Sequence, residues 1–274
     1  MEYRLLDYSV NITASDPEAS AAVHAMLQGF PADSCADSES RYALVRDPDA
    51  GWCVDVRGTR TVRGAELADA VIALEWQIVS DLLARPSDWF QLHGAALATP
   101  SGRGSVLILG ASGAGKTTLT LALMARGLLP LTDDLIFLDS QTLEPAVFQR
   151  AFHVDGTTHR LVAALSPPPA WRVNGLPPGY GMPAHWAEAR PPVCAVFFPT
   201  VHVDEAPSAT KLSVADAAVT LLPFSATLDR SPELALAAAA RLTGRASCYA
   251  LRSGGLTATA ALVVALAMPS DCAP

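Results

Sequence analysis

Apolar residues recur at helical spacing in the first third of the chain. Leu67, Val71, Leu74, Ile78 and Leu82 fall on one face, which predicts an amphipathic helix over residues 65–84. Upstream, residues 3–13 alternate weakly and are expected as a strand. Asp16-Pro17-Glu18 reads as a helix start, with Asp16 as cap and Pro17 in the first helical position. Residues 42–45 and 52–56 are short strand candidates joined by a turn at Asp47-Pro48-Asp49. The pattern then breaks at Arg85-Pro86-Ser87-Asp88. This predicts a small α/β N-terminal domain over residues 1–86 and a second domain over 87–274.

The second domain is expected to open with strands at 89–98 and 105–109, separated by Thr99-Pro100-Ser101-Gly102. A helix at 116–126, a strand at 128–138 and further strands toward His153 follow. Residues 166–192 are rich in Pro and Gly. A long irregular segment inside a domain is usually functional or mobile, so a lid or substrate-binding loop is expected there, with an ordinary surface excursion as the alternative. Trp171, Tyr180 and Trp186 would give it apolar contacts, and Arg172 and Arg190 would receive anionic groups. A strand at 193–198, helices at 213–222 and 232–242, a strand at 248–251 and a closing helix complete an α/β pattern.

Composition narrows the function classes. Half of the 274 residues are apolar, enough for a substantial core. The formal net charge of -8 argues against general attraction to nucleic acid or anionic lipid. The longest apolar run, residues 256–268, is too short to span a bilayer. The opening MEYRLLDYSV lacks the basic and apolar regions of a signal peptide. Five cysteines without a C-x-x-C pair fit unpaired thiols in a reducing cytoplasm. Neither nucleic acid nor membrane is expected as a partner, and homo-oligomer formation stays open.

One motif carries chemistry. Gly110-Ala111-Ser112-Gly113-Ala114-Gly115-Lys116-Thr117 fits G-x-x-x-x-G-K-[ST]. Glycines let successive backbone N–H groups turn inward as an anion nest, and the following helix adds its positive end. Lys116 would reach the β- and γ-phosphates of a nucleotide, Thr117 would offer its hydroxyl to Mg²⁺, and Thr118 completes the expected nucleotide-binding set. The apolar run at 105–109 leads straight into this loop. Only two lysines, Lys116 and Lys211, stand among 19 basic residues, so a lysine in the loop is conspicuous.

Asp133-Asp134 follows Leu128-Leu129-Pro130-Leu131-Thr132. Adjacent carboxylates amid apolar residues are costly to bury unless they serve a metal or a partner. One division sends Asp133 to the Mg²⁺ shell and Asp134 to an acceptor hydroxyl as general base. Strand neighbours point to opposite sides, so both can serve only where the strand ends. A turn or helix cap is the alternative. His93-Gly94 precedes the loop; a lone histidine there is either structural or close to the transferring group.

His93-Gly94, the run Leu107 to Gly127 and Leu129 to Asp134 together resemble the kinase domain of the HPr kinase/phosphorylase family. They look closest to diverged members found with peptide-modification genes, including those of lasso peptides. The resemblance is specific over roughly residues 90–140, loose from Val193 onward and absent from the first 85 residues. It implies a P-loop kinase domain of the HPr kinase C-terminal type, using ATP and Mg²⁺ on a serine of a peptide or small protein. Gly110, Gly113, Gly115, Lys116 and Thr117 match the phosphate loop, with Thr117 where Ser is common. Asp133 and Asp134 match the acidic pair, whose second member is the family's base, and His93 matches its active-site histidine. The family's Glu-x-Arg-Gly element does not follow the pair; Asp155-Gly156 and Arg160 lie in that region without the pattern. The basic loop that serves the phosphoprotein substrate is also missing, which leaves dephosphorylation of HPr without its recognition element.

A small-molecule hydroxyl, such as that of free serine, is the alternative acceptor. An ATPase that moves a partner is a different class. Leu251-Arg252-Ser253-Gly254-Gly255-Leu256 superficially resembles a transport-ATPase signature loop, but no acidic strand follows it. A nucleotide-dependent binding module without transfer is the third class. A GTPase is disfavoured because no N-K-x-D motif occurs.

Overall fold

The computed structural model describes residues 1–31, 40–49, 51–173, 175–202 and 205–268. Cys35 and Cys272 lie outside these, and the described Cys53, Cys194 and Cys248 carry no disulfide. The described chain is mixed α/β, with several sheets and seven α-helices. Its contacts cluster into two compact units. One comprises residues 1–87 with 149–151 and 172–182; the other comprises 88–148, 152–171 and 183 onward. None of the described helices is long and apolar enough to cross a membrane.

In the first unit, β1 (Glu2–Leu5) and β2 (Tyr8–Ala14) form an antiparallel pair. The expected single strand over 3–13 is thus broken: Leu6 adopts φ 58°, a left-handed turn that reverses the chain. The Asp16 side chain caps α1 (Pro17–Leu27), accepting from the Ala19 N–H at 2.9 Å. β3 (Ser40–Asp47), β4 (Gly51–Val56) and β5 (Thr59–Gly64) complete a five-stranded sheet in sequential order. β5 escapes a pattern-based reading because its Thr and Arg side chains line an exposed edge.

Helix α2 (Leu67–Ala84) buries Val71, Leu74, Ile78 and Leu82, the face its periodicity predicts. The same face carries a charge. Glu75 is 2% exposed and pairs through both carboxylate oxygens with Arg150, itself buried, whose guanidinium lies 5.0 Å from the Trp76 ring centroid. A second buried polar chain runs from the Tyr8 hydroxyl to that of Tyr42 at 2.6 Å. The Tyr42 hydroxyl in turn donates to Asp81 Oδ2, also at 2.6 Å.

In the second unit, β6 (Trp89–Ala98) and β7 (Ser105–Leu109) form an antiparallel pair, and the phosphate-type loop leads from β7 into α3 (Lys116–Met124). The expected strand over 128–138 is two strands, β8 (Leu129–Thr132) and β9 (Leu135–Asp139), both antiparallel to β6. The break falls on Asp133-Asp134, where Asp134 adopts φ 71°. Then come β10 (Phe152–His153) and α4 (Gly156–Ala163), followed in the chain by β11 (Trp171–Arg172) and β12 (Tyr180–Pro183), whose residues 172–182 belong to the first unit. β13 (Val193–Val201), β14 (Ser208–Lys211), α5 (Val214–Leu221), α6 (Pro232–Arg245), β15 (Ser247–Ser253) and α7 (Leu256–Ala267) end the described chain.

The main sheet has the order β14-β15-β13-β7-β6-β8, with β9 also on β6. β7, β13 and β15 are parallel, so their carboxyl ends open on one edge, the edge where open α/β sheets hold ligands. Side-chain alternation makes two cores. Leu97, Ile108, Phe197 and Leu251 pack with Leu119 and Leu123 of α3 and Val263 of α7. Leu92, Leu107, Val196 and Phe198 pack with Leu221 of α5 and Leu242 of α6.

The segment 166–192 differs from the single irregular loop its composition suggests. It contains β11 and β12, and its residues divide between the two compact units. Trp171 and Trp186 pack against the cluster of Leu121, Phe152 and Val162, and Tyr180 is buried. Arg190 lies over the Trp89 ring, 5.4 Å from its centroid, and donates to the Pro145 carbonyl. Tyr180 is thus part of the fold's packing, Trp171 and Trp186 are partly buried, and Arg190 stays exposed.

Candidate functional site

The loop between β7 and α3 is shaped by two left-handed glycines. Gly113 has φ 79° and Gly115 has φ 77°, a region in which a Cβ would be strained. A Cβ on Gly110 would stand 3.1 Å from that of Ala114, so this position is also tight. Ala111, Ser112 and Gly113 are exposed, which leaves the outer rim of the loop accessible. Gly115 precedes α3 without a side-chain cap. The first N–H groups of a helix lack intrahelical acceptors, so this end offers donors and positive potential to an anion.

Lys116 is buried along its stem, and Nζ donates to the carbonyls of Gly110 at 2.9 Å and Ala111 at 3.1 Å. The ammonium therefore sits over the mouth of the loop. Burial lowers its pKa from the ordinary lysine value, while the nearby carboxylates of Asp134 and Asp133 oppose that shift.

The two aspartates have separate environments. Asp133 is 4% exposed, and its Oδ2 accepts the Thr117 hydroxyl at 2.9 Å. Asp134 has a side chain 39% exposed. Its left-handed backbone turns its carbonyl toward His93 Nδ1 at 2.9 Å and toward the Gly94 N–H at 3.2 Å. A carbonyl oxygen only accepts, so Nδ1 is the donor in this contact. Nδ1 also lies 3.6 Å from Asp134 Oδ1. Thr132, whose hydroxyl donates to the Leu135 carbonyl, closes the turn that holds the pair.

Helix α4 reaches the same region. Asp155 caps it, accepting from the Thr158 N–H at 2.6 Å, and the Thr158 hydroxyl bonds that of Thr118 at 2.8 Å. Thr118 is thereby tied to α4, a link that the sequence alone does not disclose. Its partner lies forty positions away in a segment without apolar periodicity, so the one readable sign is Asp155 three residues before a threonine, a cap pattern.

The structure thus brings Lys116, Thr117, Asp133, Asp134 and His93 to one end of the sheet, with Gly110 to Gly115 between β7 and α3. The residues fit a magnesium-bound nucleotide. Thr117 and Asp133 form a hard oxygen pair of the kind Mg²⁺ uses beside substrate phosphates. The loop has glycine where a Cβ would intrude, and a cation stands above it. Among the described residues no group of three or more His, Cys, Asp and Glu forms a metal cage. No protein-family model matches the sequence, and a search of curated proteins finds no match.

Proposed function

We propose that this chain is an ATP- and Mg²⁺-dependent kinase of the HPr kinase-like P-loop type. It would transfer the γ-phosphoryl group to a hydroxyl, that of a serine in a peptide or small protein. The observation that carries the reading is the different placement of the two members of the acidic pair. Asp133 is buried against the loop hydroxyl of Thr117, while Asp134 is turned outward beside His93. That placement suits a metal ligand next to a general base.

In this reading the loop N–H groups and Lys116 hold the triphosphate. Mg²⁺, when bound, neutralises charge on the β- and γ-phosphates. Asp134 takes the proton of the acceptor hydroxyl. That oxygen bonds to the γ-phosphorus as the bond to the β–γ bridging oxygen breaks, which leaves ADP. His93, with Nδ1–H held by the Asp134 carbonyl, fixes the orientation of the base and presents Nε2 to the site.

The test is to incubate the protein with γ-labelled ATP, Mg²⁺, serine-containing peptides from neighbouring genes and free amino acids. Label on a peptide hydroxyl supports the reading, and label on free serine moves the acceptor to the small-molecule class. Release of labelled phosphate without transfer would point to an ATPase instead.

A further inference from the structure

We infer that the exposed side chain of Val201, at the carboxyl end of β13, is the platform on which the nucleoside part of the bound triphosphate lies. This rests on the reading of the loop as a nucleotide site and adds which side of the loop the sugar and base occupy.

The argument is one of direction. Thr117–Asp133 and Asp134–His93 all lie on the β6, β8 and β9 flank of β7. The metal and the reacting phosphorus belong with them, so the γ end of the triphosphate points to that flank. The phosphate chain crosses the loop, and the nucleoside leaves on the opposite flank. The strand adjacent to β7 there is β13, parallel to it, with Phe197 opposite Ile108.

The end of β13 touches the loop at two places. The ring of Pro199 lies 3.6 Å from where a Cβ on Gly110 would stand, and Val201 Cγ2 lies 3.6 Å from the equivalent point on Gly115. Val201 is therefore immediately beside the start of α3. By strand alternation it is on the α3 face, with Phe197. Yet Val201 is 51% exposed, whereas the apolar residues at 195–198 are 7% exposed or less. An apolar side chain half exposed at the lip of an anion site offers a sugar and base a dry face and cannot bind phosphate. Ser253 of β15 is its register partner.

The experiment compares magnesium–ATP with magnesium–tripolyphosphate, which has the phosphates and no nucleoside. Binding is measured by calorimetry for the wild type, Val201→Ser, Val201→Ile and Lys116→Ala. Val201→Ser should weaken ATP roughly fivefold, the loss expected from one or two uncovered methyl groups. It should leave tripolyphosphate unchanged, and Val201→Ile should bind both like the wild type. Lys116→Ala should weaken both ligands. Equal ATP affinity in Val201→Ser and wild type overturns the inference while leaving the phosphate cradle standing, as does an equal loss of both ligands in Val201→Ser. A wild type that binds neither ligand overturns the inference together with the reading beneath it. Val201 is half exposed at a strand end, so the substitutions do not threaten the core, and matching thermal midpoints confirm this.

Discussion

Thr117 donates its hydroxyl to Asp133 across 2.9 Å, joining the first turn of α3 to the turn between β8 and β9. The two are sixteen positions apart in sequence, and the apolar strand β8 ends just before Asp133. If the pair forms a magnesium site, Thr117→Ala and Asp133→Asn should each raise the Mg²⁺ concentration needed for half-maximal turnover, by about tenfold or more. Thr117→Ser should stay near wild type. A Mg²⁺ titration that does not move in either damaging variant contradicts the assignment.

Asp134 gives two separable outcomes. Asp134→Asn keeps shape and removes basicity, so kcat should fall on the order of a hundredfold or more while ATP affinity is retained. Asp134→Gly should lose turnover equally but hold or gain thermal stability. The residue sits at φ 71°, where a Cβ costs roughly 1 kcal/mol. If Asp133→Asn alone damaged turnover, the two roles would be exchanged. If neither substitution mattered, the pair would be a structural turn.

The buried Glu75–Arg150 pair sets a stability test within the first unit. Removing one partner strands a buried charge, so Glu75→Ala or Arg150→Ala should cost about 3–5 kcal/mol in urea unfolding. The double change Glu75→Leu with Arg150→Met should recover most of that. Additive losses in the double variant would show that the two residues do not act as a pair.

Lys116 provides a pH signature. Its folded-state pKa is lowered by burial from the ordinary 10.5, against the pull of Asp134 and Asp133. Between the lowered value and 10.5 the unfolded chain holds a proton that the folded chain has released. Stability therefore gains from this group as pH rises through that window. The unfolding free energy of wild type relative to Lys116→Met should climb as the pH rises toward 10.5. Parallel curves for the two proteins would contradict it.

Much of this arrangement is readable from residue order. The apolar run at 105–109, the glycines and the first turn of α3 are local, and local patterns fix a strand, a loop and a helix start. The helix at 67–84 declares itself through Val71, Leu74, Ile78 and Leu82, and Asp16 with Pro17 marks the start of α1. What local patterns miss is non-local. Nothing near Glu75 announces Arg150, and a buried glutamate on an apolar face looks like an ordinary interruption. The break between β8 and β9 is hidden because Thr132-Asp133-Asp134 lies within an apolar run, whereas the left-handed Asp134 depends on contacts with His93 and Gly94. The prolines and glycines of 166–192 suggest a loose loop. Yet Tyr180 and Met182 are buried, and Trp186 meets the ring of Phe152, a residue 34 positions away.

The most direct measurement is phosphoryl transfer from γ-labelled ATP in the presence of Mg²⁺, followed by identification of the labelled atom, with Lys116→Ala run beside the wild type. The account predicts label on a serine hydroxyl of a peptide or small protein. In Lys116→Ala it predicts transfer reduced by on the order of a thousandfold, since the phosphoryl oxygens on which charge develops would lose the Nζ cation. Near-normal transfer by Lys116→Ala, or ATP bound by the wild type with no label reaching any hydroxyl, would contradict it.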